Sequence, residues 1–240
     1  MQLDPLSPNT LELAQGLLRK PLESGELGVL LADAGVGKTA CLTQIALGYL
    51  LRGVPVLHVC IDEVPDKIKA WYREFLKSIA SEQATDEDLS SLQRRIEPLR
   101  FILAYLNQTF NPDKLELSFQ NLEEQAKFCP SMVVLDGLDF DQTPREIIEA
   151  LQGFAKNHKV AVWMSAQTHR HIPTINEMGI PYPCHLIDDL FDAIVLLKAI
   201  PNAIKVNVLK HGTQYMPGYP EIFINPQTFA TIKDTAATSE

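Results

Sequence analysis

The sequence predicts an α/β domain with a mostly parallel central sheet, helices on both faces and an antiparallel C-terminal edge. Three observations carry this. Strand-like runs alternate with helical periodicity through most of the 240 residues. The early strand runs are continuously apolar, as strands buried on both faces are. The last strand runs follow one another with no long helix between them, which favours antiparallel pairing.

Taken in order, Asn9–Lys20 has an apolar helical face (Leu11, Leu13, Leu17, Leu18), cap chemistry at Pro8-Asn9-Thr10 and a stop at Pro21. Leu27–Ala32 reads as a first, buried strand. Ala40–Arg52 is helical and Gly53 ends it. Val54–Ile61 is a second strand. Asp66–Ala80 and Asp86–Arg95 are amphipathic helices around the polar break Ser81–Thr85. Phe101–Leu106 is a third strand and Pro112–Phe128 a helix. Met132–Leu135 is a fourth strand, Pro144–Asn157 a helix and Val160–Ala166 a fifth strand. An irregular stretch, Thr168–Asp189, contains Pro173, Pro181 and Pro183. The strands Ala193–Leu197, Ile204–Leu209 and Glu221–Ile224 close the chain. There is no internal repeat and no linker composition. A single domain over residues 1–233 is expected, with 234–240 as a flexible tail.

Composition narrows the function classes. The formal net charge of −9 repels a polyanion at long range, so a general nucleic-acid surface is disfavoured. Met1–Pro5 carries neither a cationic nor an apolar signal region, and no apolar run reaches bilayer length. A cytoplasmic protein without a membrane partner is expected. Cys41, Cys60, Cys129 and Cys184 form no CxxC pair. Cys41 and Cys60 lie in apolar periodic segments and read as reduced, buried thiols.

The chemistry concentrates at Ala32-Asp33-Ala34-Gly35-Val36-Gly37-Lys38-Thr39, which follows a strand and opens a helix. That is the context of a P-loop. Small residues let successive N–H groups of Ala34, Gly35, Val36, Gly37, Lys38, Thr39 and Ala40 point inward at phosphate oxygens, and the helix N-terminus adds positive potential. Lys38 would reach the β- and γ-phosphates of ATP, and the Thr39 hydroxyl would ligate Mg2+. The pattern's first glycine is Ala32 here, which is acceptable only with ordinary dihedrals.

Hydrolysis needs further groups. Met132–Asp136 is a buried strand that delivers Asp136 at its carboxyl end, where ligands of open α/β sheets sit, so Asp136 is the expected second metal ligand. Asp139 reads equally as a turn residue. The second strand ends Asp62-Glu63; Glu63 is the candidate base for the attacking water and Asp62 the fallback. The fifth strand ends Ser165-Ala166-Gln167, and Gln167 is the candidate γ-phosphate sensor.

With these residues the chain resembles the RecA-like P-loop ATPases, most closely single-domain KaiC-type proteins and the ATPase domain of DnaB-type helicases, over roughly residues 25–212. The resemblance implies that Val160–Ala166 inserts between the P-loop strand and the Asp136 strand, and that Glu63 is the catalytic glutamate. It also implies assembly into rings, completed by a neighbour's K-x-R motif. Lys210 matches that lysine, but Gly212 stands at the arginine position. The stretch matching the family's DNA loops, Thr168–Asp189, holds His169, Arg170, His171 and His185 beside Glu177, Asp188 and Asp189, so it is not a basic groove. Nor do its histidines have metal-ligand spacing. Asp33 occupies the signature-lysine position of the partition and arsenite-pump class, which is thereby disfavoured.

The expected function is an ATPase that uses hydrolysis to switch shape or assembly, with a homo-oligomer or a protein partner. The alternatives are a nucleotide-dependent binding module with little turnover, and a DNA helicase or recombination accessory. A small-molecule kinase would need lid arginines, and only Arg145 and Arg170 occur between Gly137 and Asp189. Trp71–Arg100, rich in helix and charge, is either a partner surface or a solvated face.

Overall fold

A computed structural model describes residues 17–18, 20–82, 89–219 and 221–232. Most of the expected first helix, residues 83–85 of the expected polar break and the tail 234–240 lie outside the described residues, while Ser81 and Glu82, expected in the break, continue the preceding helix.

The chain is α/β with a mostly parallel central sheet. Strands β1 (Leu27–Asp33), β2 (Val56–Ile61), β3 (Arg100–Tyr105), β4 (Met132–Asp136), β5 (Ala161–Thr168) and β6 (Ala193–Ile200) form its parallel part, in the spatial order β6-β1-β5-β4-β2-β3. β5 therefore lies between β1 and β4, the place the resemblance implied. Helices α1 (Lys38–Leu51), α2 (Pro65–Glu82), α3 (Leu89–Ile96), α4 (Pro112–Glu124) and α5 (Arg145–His158) connect these strands. β7 (Ala203–His211) pairs antiparallel with β6, followed outward by β9 (Ile222–Ile224) and β10 (Thr231–Ile232); β8 (Gln214–Tyr215) folds back on β7.

β1, β2 and β4 are buried along nearly their whole length because both faces are covered. Met132 and Val134 of β4 pack into one cluster with α1, α2 and α3, whereas Val133 and Leu135 pack into the other with α4 and α5. α1 is buried on nearly every side, including Thr43 and Gln44, because it lies between the sheet and the outer elements. α4 and α5 keep one apolar face, through Leu115 and Phe119 on one and Ile148 and Leu151 on the other. No helix among the described residues is long and apolar enough to cross a membrane. Cys41, Cys60 and Cys184 are buried free thiols and Cys129 is exposed. Burial pushes the Cys41 thiol up to about 12.

Two expectations need correction. The helix expected to reach Phe128 stops at Glu124, and the chain then turns through Lys127 at φ 53° before Pro130. The chain is not closed by the strand ending at Ile224: the residues after it turn back and form a hairpin. The Asn225 side chain accepts from the N–H groups of Gln227 and Thr228, and this turn brings β10 onto β9.

His58 of β2 is fully buried; its Nδ1 lies 3.1 Å from the Tyr72 hydroxyl, and Nε2 has no hydrogen-bond partner. Burial pushes its pKa down to about 4, with the Asp136 carboxylate opposing. The folded ring thus stays neutral until about pH 4, whereas the unfolded ring takes a proton near 6.5. Unfolding is therefore favoured as pH falls through that window, by on the order of 2–3 kcal/mol at its acid end. Melting temperatures measured from pH 7 to pH 4 should fall more steeply for wild type than for His58→Gln. Equal slopes would remove His58 as the cause.

Candidate functional site

The site gathers at the carboxyl ends of β1, β4 and β5. Ala32 is fully buried inside β1, paired with Gln167 of β5 on one side and Leu197 of β6 on the other. It does not adopt positive φ, so the alanine departs from the glycine pattern without strain. The turn that follows does need glycine: Gly35 has φ 77° and Gly37 φ 108°. Gly37 also caps α1, and no side chain caps that helix. The N–H groups of its first turn therefore have no intrahelical partner, at the positive end of the helix dipole. Lys38 Nζ donates to the carbonyls of Ala32 (3.0 Å) and Asp33 (3.2 Å), which arches the lysine back over the loop. Burial lowers the Lys38 pKa, and the carboxylates of Asp136 and Asp33 oppose that fall.

Asp136 ends β4 and is 6% exposed. Its Oδ1 accepts from Ser165 Oγ at 2.5 Å, and Ser165 Oγ accepts from the Gly137 N–H at 3.0 Å. The serine thus locks the aspartate's rotamer to the backbone turn after it. Asp136 Oδ2 takes no hydrogen bond from a described residue. Gly137 has φ 97°, and a Cβ there would stand 2.3 Å from the Ile61 carbonyl oxygen. Only glycine lets the chain cross the end of β2 so closely. Beside these groups is a cavity of about 350 Å³, lined by Lys38, Gly137, Asp139, Ser165, Gln167 and His169 among others.

Lys38, Asp136 and Gln167 are therefore brought together, with Thr39 on the first turn of α1. The second-strand acids are not. Glu63 pairs with Lys67 one helical turn on and accepts from the Val64 N–H; it does not line the cavity. The Lys67 ammonium holds the Glu63 carboxyl below its ordinary pKa. Asp62, at φ 56°, accepts from the Asn107 N–H at 2.7 Å and ties β2 to the end of β3. Asp139 is both a turn residue, accepting from the Asp141 N–H, and a wall of the cavity. Lys210 corrects another expectation. It is 6% exposed, donates to the Asp188 carbonyl at 2.8 Å and lies 5.2 Å over the Tyr215 ring. Burial among these partners makes it an internal strut rather than a lysine offered to a neighbour. Arg145 is held by Asp189 and Glu149, and Arg170 by Asp33, so neither resembles a free lid arginine.

Three contributors went unread in the sequence. Asp33 accepts from Thr168 Oγ1 at 2.6 Å and from Arg170 Nε at 2.8 Å. These bonds, the Thr168 hydroxyl first, keep its carboxyl below the usual range and strap the loop to the end of β5 and, through Arg170, to the segment after it. His169 Nε2 lies 2.6 Å from Asp141 Oδ2 across the cavity mouth. Phe229, from the β9–β10 turn, sits against Gly37: a Cβ on that glycine would lie 2.3 Å from the phenyl ring. Its backbone is at φ 57° and its carbonyl accepts from Gln44 Nε2 at 2.8 Å. Trp71 and Phe75 of α2 meet the ring edge to face, at 5.4 and 6.4 Å. Burying such a side chain is worth roughly 1.5–3 kcal/mol, enough to sustain an aromatic residue at positive φ.

The Val36 N–H, expected to point at phosphate, instead donates to the Asp33 carbonyl at 3.3 Å; what the arrangement offers an oxyanion is the uncapped start of α1 and an ammonium. It also offers a hydroxyl and a carboxylate, hard oxygen donors that suit a small divalent cation. Neither the family models nor the curated proteins compared with the chain match it.

Gly137→Ala should destabilise the fold by about 2–4 kcal/mol, since it combines positive φ with a backbone clash. The urea midpoint measures this, and a shift worth under about 0.5 kcal/mol would show that the crossing relaxes.

Proposed function

We propose that the chain is a RecA-like P-loop NTPase that binds ATP with Mg2+ and hydrolyses it to drive a conformational or assembly switch. The observation that carries this reading is the convergence of Lys38, at the uncapped start of α1, with Asp136, locked by Ser165 at the end of β4. The strand order, with β5 between β1 and β4, supports it as well.

On this reading the loop amides and the Lys38 ammonium bind the phosphate chain. Thr39 and Asp136 Oδ2 would hold the metal, which supplies neutralisation of phosphate charge. The hard oxygen donors fit that ion, and Ser165 leaves one carboxylate oxygen for it. Gln167 orients at the end of the phosphate chain. It belongs to the strand that carries Thr168, so movement there reaches the loop through Asp33. Glu63 would accept the proton of the attacking water after its contact with Lys67 is exchanged.

That contact favours a second reading, a nucleotide-dependent binding module with little turnover, because it holds the glutamate away from the cavity. ATP binding and phosphate release, measured on the same preparations, separate the two. Lys38→Ala should weaken ATP binding at least tenfold, and Asp136→Asn should abolish the Mg2+ requirement along with release. Glu63→Gln should retain binding while release falls ~10²–10⁴-fold. Wild-type binding no tighter than that of Lys38→Ala would overturn the assignment. Tight binding with no release above Glu63→Gln would select the second reading.

A further inference from the structure

A second cavity, also about 350 Å³, lies where α2, α3 and β3 meet and shares no lining residue with the candidate site. Lys69 and Arg73 of α2, Arg94 of α3 and Arg100 of β3 converge on it, against one carboxylate, Glu97. Four cations to one anion is a sharp local excess in a chain of net charge −9.

Arg100 makes this a built place rather than a solvated face. Its side chain is 9% exposed, and its guanidinium lies 4.6 Å over the Tyr72 ring, which the His58 contact holds from behind. One nitrogen donates to Glu97 at 3.0 Å. A guanidinium carries five N–H donors, and no nitrogen of Arg100 is sealed off without a partner. Arg100 is itself a wall of the cavity. Arg73 makes no hydrogen bond or ion pair with a described residue. Among the described residues Lys69 pairs with Asp66 alone, and that exposed pair is weak and exchangeable. Leu76 and Ile96, both buried, supply an apolar wall.

We propose that this cavity binds a small phosphorylated organic molecule. Its phosphate sits in the fork of Arg100 within reach of Arg73, Lys69 and Arg94, and its carbon skeleton lies against Leu76 and Ile96. A planar guanidinium fork matches a phosphate bidentately, and the volume is that of a small-ligand site. A nucleic-acid strand fits less well. It needs a basic track with aromatic faces, whereas Asp66, Glu74 and Glu97 are exposed around this basin. The site does not use the phosphate loop, so it stands independently of nucleotide binding at Lys38.

Calorimetric titration of the full chain with phenyl phosphate tests this, with inorganic phosphate and a single-stranded oligonucleotide as comparators. The Lys38→Ala chain serves as background, to silence the loop. Phenyl phosphate should bind that chain more tightly than inorganic phosphate does, and adding Arg73→Gln or Arg100→Gln should weaken it at least tenfold. Arg100→Gln disturbs packing on Tyr72; Arg73→Gln changes an exposed side chain that has no partner among the described residues and keeps the test independent of folding. Unchanged affinity in Arg73→Gln, no preference for phenyl phosphate, or displacement of phenyl phosphate by the oligonucleotide at physiological salt would each overturn the proposal.

Discussion

Parallel pairing of β1 with β5 along seven residues, Leu27–Asp33 against Val162–Thr168, fixes where every group of the candidate site can stand. Parallel strands point their carboxyl ends the same way, so the ends of β1, β4 and β5 open on one edge. The register sets Ala32 opposite Gln167 and Asp33 opposite Thr168. From that register follow the Asp33–Thr168 bond and the closeness of Gln167 to Lys38, while the parallel pairing of β4 with β5 carries Ser165 across to Asp136. A slip of one residue would turn each of these side chains to the other face of the sheet. The apolar interior enforces the register, because alternate residues of each strand fill two different clusters.

The elements that could be read from the sequence were those whose cause is local or periodic. Continuous apolar runs announced β1, β2, β4 and β5, and the Gly-x-Gly-Lys-Thr turn placed Lys38 and Thr39 because strand, turn and helix are contiguous there. Asp136 was found because a buried strand ends on it. Features caused by distant partners were not readable. Phe229 lies among polar turn residues, and its significance comes from Gly37, Trp71 and Phe75 far away in the chain. The direction of Glu63 depends on whether Lys67 or the cavity claims its carboxylate, and the helical i,i+4 spacing gives Lys67 the shorter reach. The matching position of Lys210 said nothing of its burial under Asp188 and Tyr215. The cation excess at the second cavity needed three separate elements to meet.

Charge in this chain is organised by place rather than by total. A net charge of −9 coexists with two concave sites that present cations, one at Lys38 and one at Arg100. In each a carboxylate stands beside the cation: Asp136 opposes the desolvation of Lys38, and Glu97 accepts a hydrogen bond from Arg100. The surrounding acidic surface repels long polyanions, while compact anions see mainly the local field. Helix α2 touches both regions. It carries Lys69 and Arg73 at one cavity, and Lys67 and Trp71 toward the loop and Glu63.

The ring of Phe229 occupies the space a side chain on Gly37 would need, and its carbonyl is bonded to Gln44, 185 residues earlier. The outermost hairpin of the sheet is thus a keystone for the loop at its centre. Substitution at Gly37 and editing of the β9–β10 turn are, in engineering terms, the same operation on opposite sides of one contact. Over evolutionary time the two segments must change together, so the size of the residue at 229 should track the absence of a side chain at 37. Shortening the chain before that hairpin would uncover the loop itself rather than trim a margin.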